Sequence, residues 1–212
     1  MTHSLPTGLT DTFLWSPEKG YGWHSRQAML YSGDYFAHYQ KLDSTKMGAL
    51  LTRARLELVG KYTDPHRTVD IGIGGGRYVQ ESGGWGYDVC EDAVKWLKAC
   101  RRYCNAYDPA YGGTRHIPSA TCWDSLEHIP EPEKLLAQVE KWLFVSLPVF
   151  EDADDVLSSK HYKPGEHLWY FSSTGFIDWC AEQGFECVEM NRAESDLGRE
   201  GIMSFAFKRV AG

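Results

Sequence analysis

The sequence has no stretch that approaches the roughly 20 apolar residues a membrane-spanning helix needs. Nor does it open on a basic segment followed by an apolar run, the pattern of a secretory signal. It lacks any CxxC pair. The six cysteines are Cys90, Cys100, Cys104, Cys122, Cys180 and Cys187. Cys100 and Cys104 would share a helix face, but no second pair completes a zinc site, so no metal site is read and the thiols are expected to be buried and reduced. Positive charge is scarce as well: 22 Lys and Arg stand against 29 Asp and Glu, a net charge of −7. That balance argues against a broad basic surface tracking a phosphate backbone, so nucleic acid is an unlikely partner. Internal repeats and low-complexity tracts are absent too. The expectation is a cytoplasmic protein without membrane contact.

What is present is a 212-residue chain, 42% apolar, with eight Trp and twelve Tyr, long enough to bury a substantial core. Residues 1–26, punctuated by Pro6, Gly8, Pro17, Gly20 and Gly22, read as irregular. Two helices are expected next. The first spans about 27–40. Ser44 can cap the second, on which Met47, Leu50, Leu51, Ala54 and Leu58 recur at helical spacing. From Arg67 the pattern changes. Short apolar strands at 68–71, 85–89, 120–123 and 143–147 alternate with helices near 78–81, 93–103 and 132–142, which implies parallel pairing and a doubly wound α/β sheet. A helix at 174–183 precedes strands at 185–190 and 202–208. With only a loop between them, those two strands are expected to pair antiparallel. Residues 1–62 are thus read as a helical extension that caps a substrate, and residues 63–212 as the sheet domain.

The chemistry begins where the first of these parallel strands ends. Asp70-Ile71-Gly72-Ile73-Gly74-Gly75-Gly76 places four glycines between a strand and a helix. There the chain must turn tightly and a ligand must approach the backbone without meeting a Cβ. About 20 residues on, Asp88 ends the next strand, where a carboxylate can accept both hydroxyls of a ribose. A dinucleotide site would use the same logic, so these residues alone do not name the ligand.

Asp70-x-Gly72-x-Gly74-x-Gly76 resembles motif I of class I methyltransferases. Gly86-Tyr87-Asp88-Val89 is similar to that family's ribose-binding strand end. Asp124-Ser125-Leu126-Glu127-His128 resembles the D-x-L-E-H block found in subfamilies that include small-molecule O-methyltransferases. His167 to Ser172, followed by Gly184-Phe185, resembles their closing segment. The resemblance implies a Rossmann-like, mostly parallel seven-stranded sheet of order 3-2-1-4-5-7-6 with strand seven antiparallel, and S-adenosylmethionine across the strand ends. By position, Gly72, Gly74 and Gly76, with Ile73 among them and Asp70 in support, shape the methionine-end loop. Asp88 holds the ribose beside Val89. Trp123, Asp124 and Ser125 flank the reacting sulfonium, and Asp108 is the candidate for reading the adenine.

His128, His161 and His167 are the candidate catalytic bases, since imidazole titrates near neutral pH. The segment 150–171 is expected to pack over the strand ends as a lid, together with Trp23, His24, Tyr31, Tyr35 and Tyr39 from the extension. The chain lacks the Asp/Asn-Pro-Pro-aromatic loop of base N-methyltransferases and any Pro-Cys nucleophile. The expected activity is therefore O- or N-methylation of a small-molecule or carbohydrate-type acceptor. A non-catalytic S-adenosylmethionine-binding protein and a nicotinamide-dependent oxidoreductase are the alternatives, and a homodimer is left open.

Overall fold

Residues 13–24, expected above to be irregular, form a hairpin of β1 (Phe13–Ser16) and β2 (Tyr21–His24). Phe13 and Trp15 alternate inward, and the Pro17 to Gly20 stretch supplies the turn. The computed structural model describes residues 13–24, 33–108 and 117–210. Tyr31 therefore lies outside the described residues. Helices α1 (Gly33–Asp43) and α2 (Lys46–Gly60) follow. Thr45 rather than Ser44 caps α2: the Gly48 N–H donates to Thr45 Oγ1 at 3.1 Å, while the Ser44 hydroxyl donates back to the Lys41 carbonyl. The apolar stripe of α2 is only partly covered, for Met47 and Leu50 are exposed whereas Leu58 and Val59 are buried.

The main sheet starts at β3 (Thr68–Ile71), buried along its whole length, and continues through α3 (Arg77–Ser82), β4 (Trp85–Tyr87) and α4 (Glu91–Ala99). Then come β5 (Ile117–Trp123), α5 (Pro132–Leu136), β6 (Val139–Pro148), α6 (Ala153–Ser158), β7 (Trp169–Phe171) and α7 (Ser173–Glu182). The chain closes with β8 (Phe185–Asn191), α8 (Ala193–Asp196) and β9 (Ile202–Arg209). The six-stranded order is β4-β3-β5-β6-β9-β8, with β9 antiparallel to both neighbours. A small second sheet, β1-β2-β7, ties the N-terminal hairpin to the segment before α7. Helices cover both faces of the main sheet. Phe176 and Trp179 of α7 share one core with Val69 and Phe205, and Leu58, Val59 and Tyr78 pack on the other side against Trp123 and Phe144.

This is the expected α/β architecture with three corrections. The seventh strand, expected beyond β4, is reduced among the described residues to one parallel bridge between Gly86 and Tyr103. It arises because α4 ends early: Arg101 takes a left-handed backbone (φ 57), and Arg102 and Tyr103 turn back beside β4. The helix expected over 132–142 stops at Leu136. Leu135, Leu136, Val139, Trp142 and Leu143 have helical spacing, but Trp142 pairs with Ser119 on one side and Lys208 on the other, and the ladders override the local pattern. Between β8 and β9 there is a short helix, α8, where only a loop was expected.

Candidate functional site

The carboxyl ends of β3, β4 and β5 converge on two cavities that share a wall of Tyr39, Gly72, Gly74, Trp123 and Asp124. Ligands of open parallel sheets bind at this end. Gly74 lines both cavities with φ at +54°, a conformation that a β-branched residue resists, and a Cβ there would meet only the Tyr39 ring edge at 3.5 Å. Gly75 serves a different purpose. A Cβ on it would stand 2.6 Å from the Tyr39 carbonyl, so the loop can lie directly against α1. Asp43 at the end of α1 completes that contact by accepting from the Arg77 N–H (3.1 Å) at the start of α3. Gly76 begins α3 against the Trp96 ring and lines neither cavity.

Asp88 follows β4 and carries the wider cavity, about 330 Å³, with Tyr87, Val89 and Tyr107 around it. Its Oδ2 accepts from the Ile73 N–H at 2.9 Å and its Oδ1 from the Cys90 N–H at 2.8 Å. Burial pushes its pKa up, and three backbone N–H groups, of Cys90, Ile73 and Val89, oppose that shift. A carboxylate has about four lone-pair directions, so room remains for a ligand hydroxyl. The arrangement predicts a double effect for Asp88→Ala. Cofactor affinity should fall about ten- to a hundredfold, the scale of hydrogen bonds to a charged group. The melting temperature should fall too, because the glycine loop loses its tie to β4. Calorimetry and thermal denaturation of the same variant read both. Asp108, expected near the adenine, is exposed and outside the cavity lining; Tyr107 beside it contributes instead.

Asp70 is fully enclosed and accepts from Thr121 Oγ1 at 2.7 Å. Burial lifts its pKa from 3.8 to about 7. Between those values the folded chain holds a proton that the unfolded chain has released, so this residue's contribution to stability declines as pH rises through that window. Asp70→Asn should accordingly flatten the pH dependence of urea unfolding between about pH 4 and 7 and gain on the wild type toward pH 8. An unchanged profile would refute a proton on Asp70.

After β5, Asp124 takes a left-handed backbone (φ 57) and Ser125 Oγ donates to the Ile71 carbonyl at 2.6 Å, locking the loop to β3. Non-glycine residues so strained cluster at functional sites. The narrower cavity, about 270 Å³, opens on the other side of this wall toward Asp43, Arg55, Asp70 and Arg199, under an apolar rim of Leu42, Met47 and Leu51. Arg199 bridges Asp124 and Glu194. Glu194, 1% exposed, also takes both ends of the Arg55 fork at 2.8 and 3.0 Å. Although burial opposes it, the two guanidinium groups hold the Glu194 carboxyl down at about 2. Arg55 in turn lies 5.3 Å over the Trp123 ring.

Of the three candidate histidines, only His128 lines a cavity. The lid expectation is corrected for the other two. His161 turns to the Glu200 carbonyl at 2.8 Å. His167 is buried behind His128, ring centroids 4.6 Å apart, and burial with the neighbouring imidazole pushes its pKa down to about 2. Trp23 packs on Trp169 and His24 bonds the Tyr162 hydroxyl, so this part of the expected lid is a packed second sheet, whereas Tyr35 and Tyr39 do reach the cavity. Sequence reasoning missed Arg55, Glu194 and Arg199, which meet only across α2 and α8; an acidic residue in an expected loop gave no signal.

The residues fit a nucleoside-bearing sulfonium. An open cradle lies at Gly74, a carboxylate stands at the strand end, and on the shared wall Asp124 Oδ1 and Trp123 Nε1 are buried without a hydrogen-bond partner among the described residues. The family described as "Methyltransferase domain" matches residues 36–190. No curated protein matches the chain in sequence. Among solved structures, an S-adenosylmethionine-dependent methyltransferase from Aquifex aeolicus aligns at 12% identity with a TM-score of 0.57, over 82% of this chain and 98% of that one. Magnesium protoporphyrin IX methyltransferase from Synechocystis, with bound S-adenosylhomocysteine, aligns at 11% and 0.53, over 84% and 95%. The 4+2 cyclase SpnF aligns at 15% and 0.56, over 76% and 80%. At such identities the structures share the fold alone, and SpnF carries another reaction on it. The family match spans most of the sequence, glycine loop and Asp124 wall included, and the chain belongs to the class I methyltransferase family, whose cofactor is S-adenosylmethionine.

Proposed function

We propose that the chain methylates an oxygen or nitrogen of a small-molecule or carbohydrate-type acceptor. The observation that carries this reading is the pair of cavities meeting at Gly72, Gly74, Trp123 and Asp124. The Asp88 side suits the nucleoside. The shared wall suits the methionine end, and the Arg55 side, polar at its floor and apolar at its rim, suits a compact hydroxylated or aminated acceptor. A volume of about 270 Å³ fits a metabolite, not a polymer segment.

The cofactor supplies a methyl group on a sulfonium that is already an activated leaving group. The chain's own residues align the partners and exclude water. Gly72 and Gly74 let the ligand meet the backbone, Asp88 holds a ribose hydroxyl, and the Arg199 ion pair fixes the Asp124 carboxylate at the junction. His128 lines the wider, Asp88-side cavity and not the Arg55 side, so no histidine is assigned to the acceptor. A metabolite panel, read by S-adenosylhomocysteine release, tests the proposal. Turnover with a compact acceptor that Met47→Trp, at the rim of the narrower cavity, suppresses without loss of cofactor affinity is the expected result. Cofactor binding with no turnover across hydroxylated and aminated classes would favour a non-catalytic binding protein of the same fold.

A further inference from the structure

Behind the cavity wall, Glu127, His128 and His167 bring a carboxylate oxygen and two imidazole nitrogens within 4.8 Å of one another. Glu127 is 1% exposed and His167 4%. Neither carboxylate oxygen of Glu127 has a hydrogen-bond partner among the described residues, and the same is true of His167 Nδ1. Buried polar atoms without a partner are costly, and the Glu127 carboxyl and the His167 imidazole, both members of this group, share one remedy. We infer that Glu127, His128 and His167 form a binding site for one divalent transition-metal ion.

The donor set selects the ion. Two imidazoles and one carboxylate suit zinc, manganese, iron(II), cobalt or nickel, whereas magnesium and calcium prefer all-oxygen sites. Ligand bonds of about 2.0–2.2 Å require the three atoms to draw in around the ion. The backbone carbonyl of Glu166 accepts from the His128 ring, the kind of outer contact that orients a ligating histidine. The chain geometry supports the grouping too: the Leu168 N–H donates to the Glu127 carbonyl at 2.8 Å, pinning the His167 segment to the Glu127 turn.

His128 also lines the wider cavity, so remaining coordination positions would open toward it. An ion there would face the nucleoside side of the cofactor, with His128 acting as ligand rather than base. This last role rests on the methyl-transfer reading, but ion binding does not.

The test uses tag-free full-length protein stripped with a chelator and titrated with cobalt(II) and zinc(II). One equivalent per chain is expected, with a cobalt visible spectrum of nitrogen and oxygen ligation and a raised melting temperature in zinc. Glu127→Gln, nearly isosteric, and His128→Ala, at the cavity edge, should each weaken binding at least a hundredfold. S-adenosylmethionine affinity, measured on Glu127→Gln, whose side chain is buried and lines neither cavity, should change by less than about threefold. If the wild type takes up neither metal, or if a folded Glu127→Gln or His128→Ala binds as tightly as the wild type, the site is refuted. Loss of cofactor binding in the wild type would instead overturn the methyltransferase reading and leave the metal result standing.

Discussion

Glu194→Gln is expected to cost about 3–5 kcal/mol of folding stability at neutral pH, the scale seen when one partner is removed from a buried ion pair. The carboxylate receives both arms of Arg55 and one of Arg199, so the amide would remove the countercharge the two guanidinium groups share and leave Arg199 with Asp124. Guanidinium chloride unfolding reads the loss directly. The pH dependence gives a second signature. The native carboxyl titrates near 2 against an ordinary 4.5, so its stabilisation is complete above the higher value and disappears as pH falls toward the lower one. The wild-type advantage over Glu194→Gln should shrink along that descent. A variant as stable as wild type at pH 7 would mean that the cluster is held by packing alone.

Gly74→Val is expected to reduce S-adenosylmethionine affinity at least a hundredfold. Two effects act together. The backbone at φ +54° is strained for a β-branched residue, about 1–3 kcal/mol of penalty, and the new methyl groups would project into space that both cavities share. Gly60→Ala provides the contrast. Gly60 ends α2, a Cβ there meets nothing within 4 Å, and alanine should leave binding untouched while adding up to about 1 kcal/mol through a less flexible unfolded chain. Wild-type affinity in a folded Gly74→Val would move the cofactor away from this loop.

The glycine loop, Asp88 and the Asp124 turn were legible because each is fixed by local chain geometry: a strand, a tight turn, an acidic strand end. Asp70, expected to support the loop, is enclosed in the sheet, where its carboxyl accepts from Thr121 of β5. What escaped depends on distant partners. Arg55 and Glu194 are 139 positions apart, and nothing in either neighbourhood reveals the other. The helix expected over 132–142 failed for a related reason, since Val139 and Trp142 obey a helical period but are claimed by β5 and β9. The hairpin at residues 13–24 was readable in principle. Phe13 and Trp15 alternate inward before a Pro-to-Gly turn, but a strand of four residues gives periodicity little to work with. His128 and His167 stood in recognisable motifs, and only the fold reveals that they face each other across Glu127.

The three-stranded β1-β2-β7 sheet also sets an order of events during synthesis. Tyr21 pairs with Phe171 and Trp23 with Trp169, so the hairpin leaves the ribosome long before the strand that completes it. A two-stranded hairpin is marginal alone in water. Its aromatic face, Phe13 and Trp15, must wait for Phe150, Val156 and Tyr170 to be covered. The hairpin therefore cannot be completed until β7 has emerged, and closing so long a loop makes that docking a slow step. Until it docks, those rings are open to chaperones and proteases, and a nascent chain stalled before β7 would expose them for the duration of the stall.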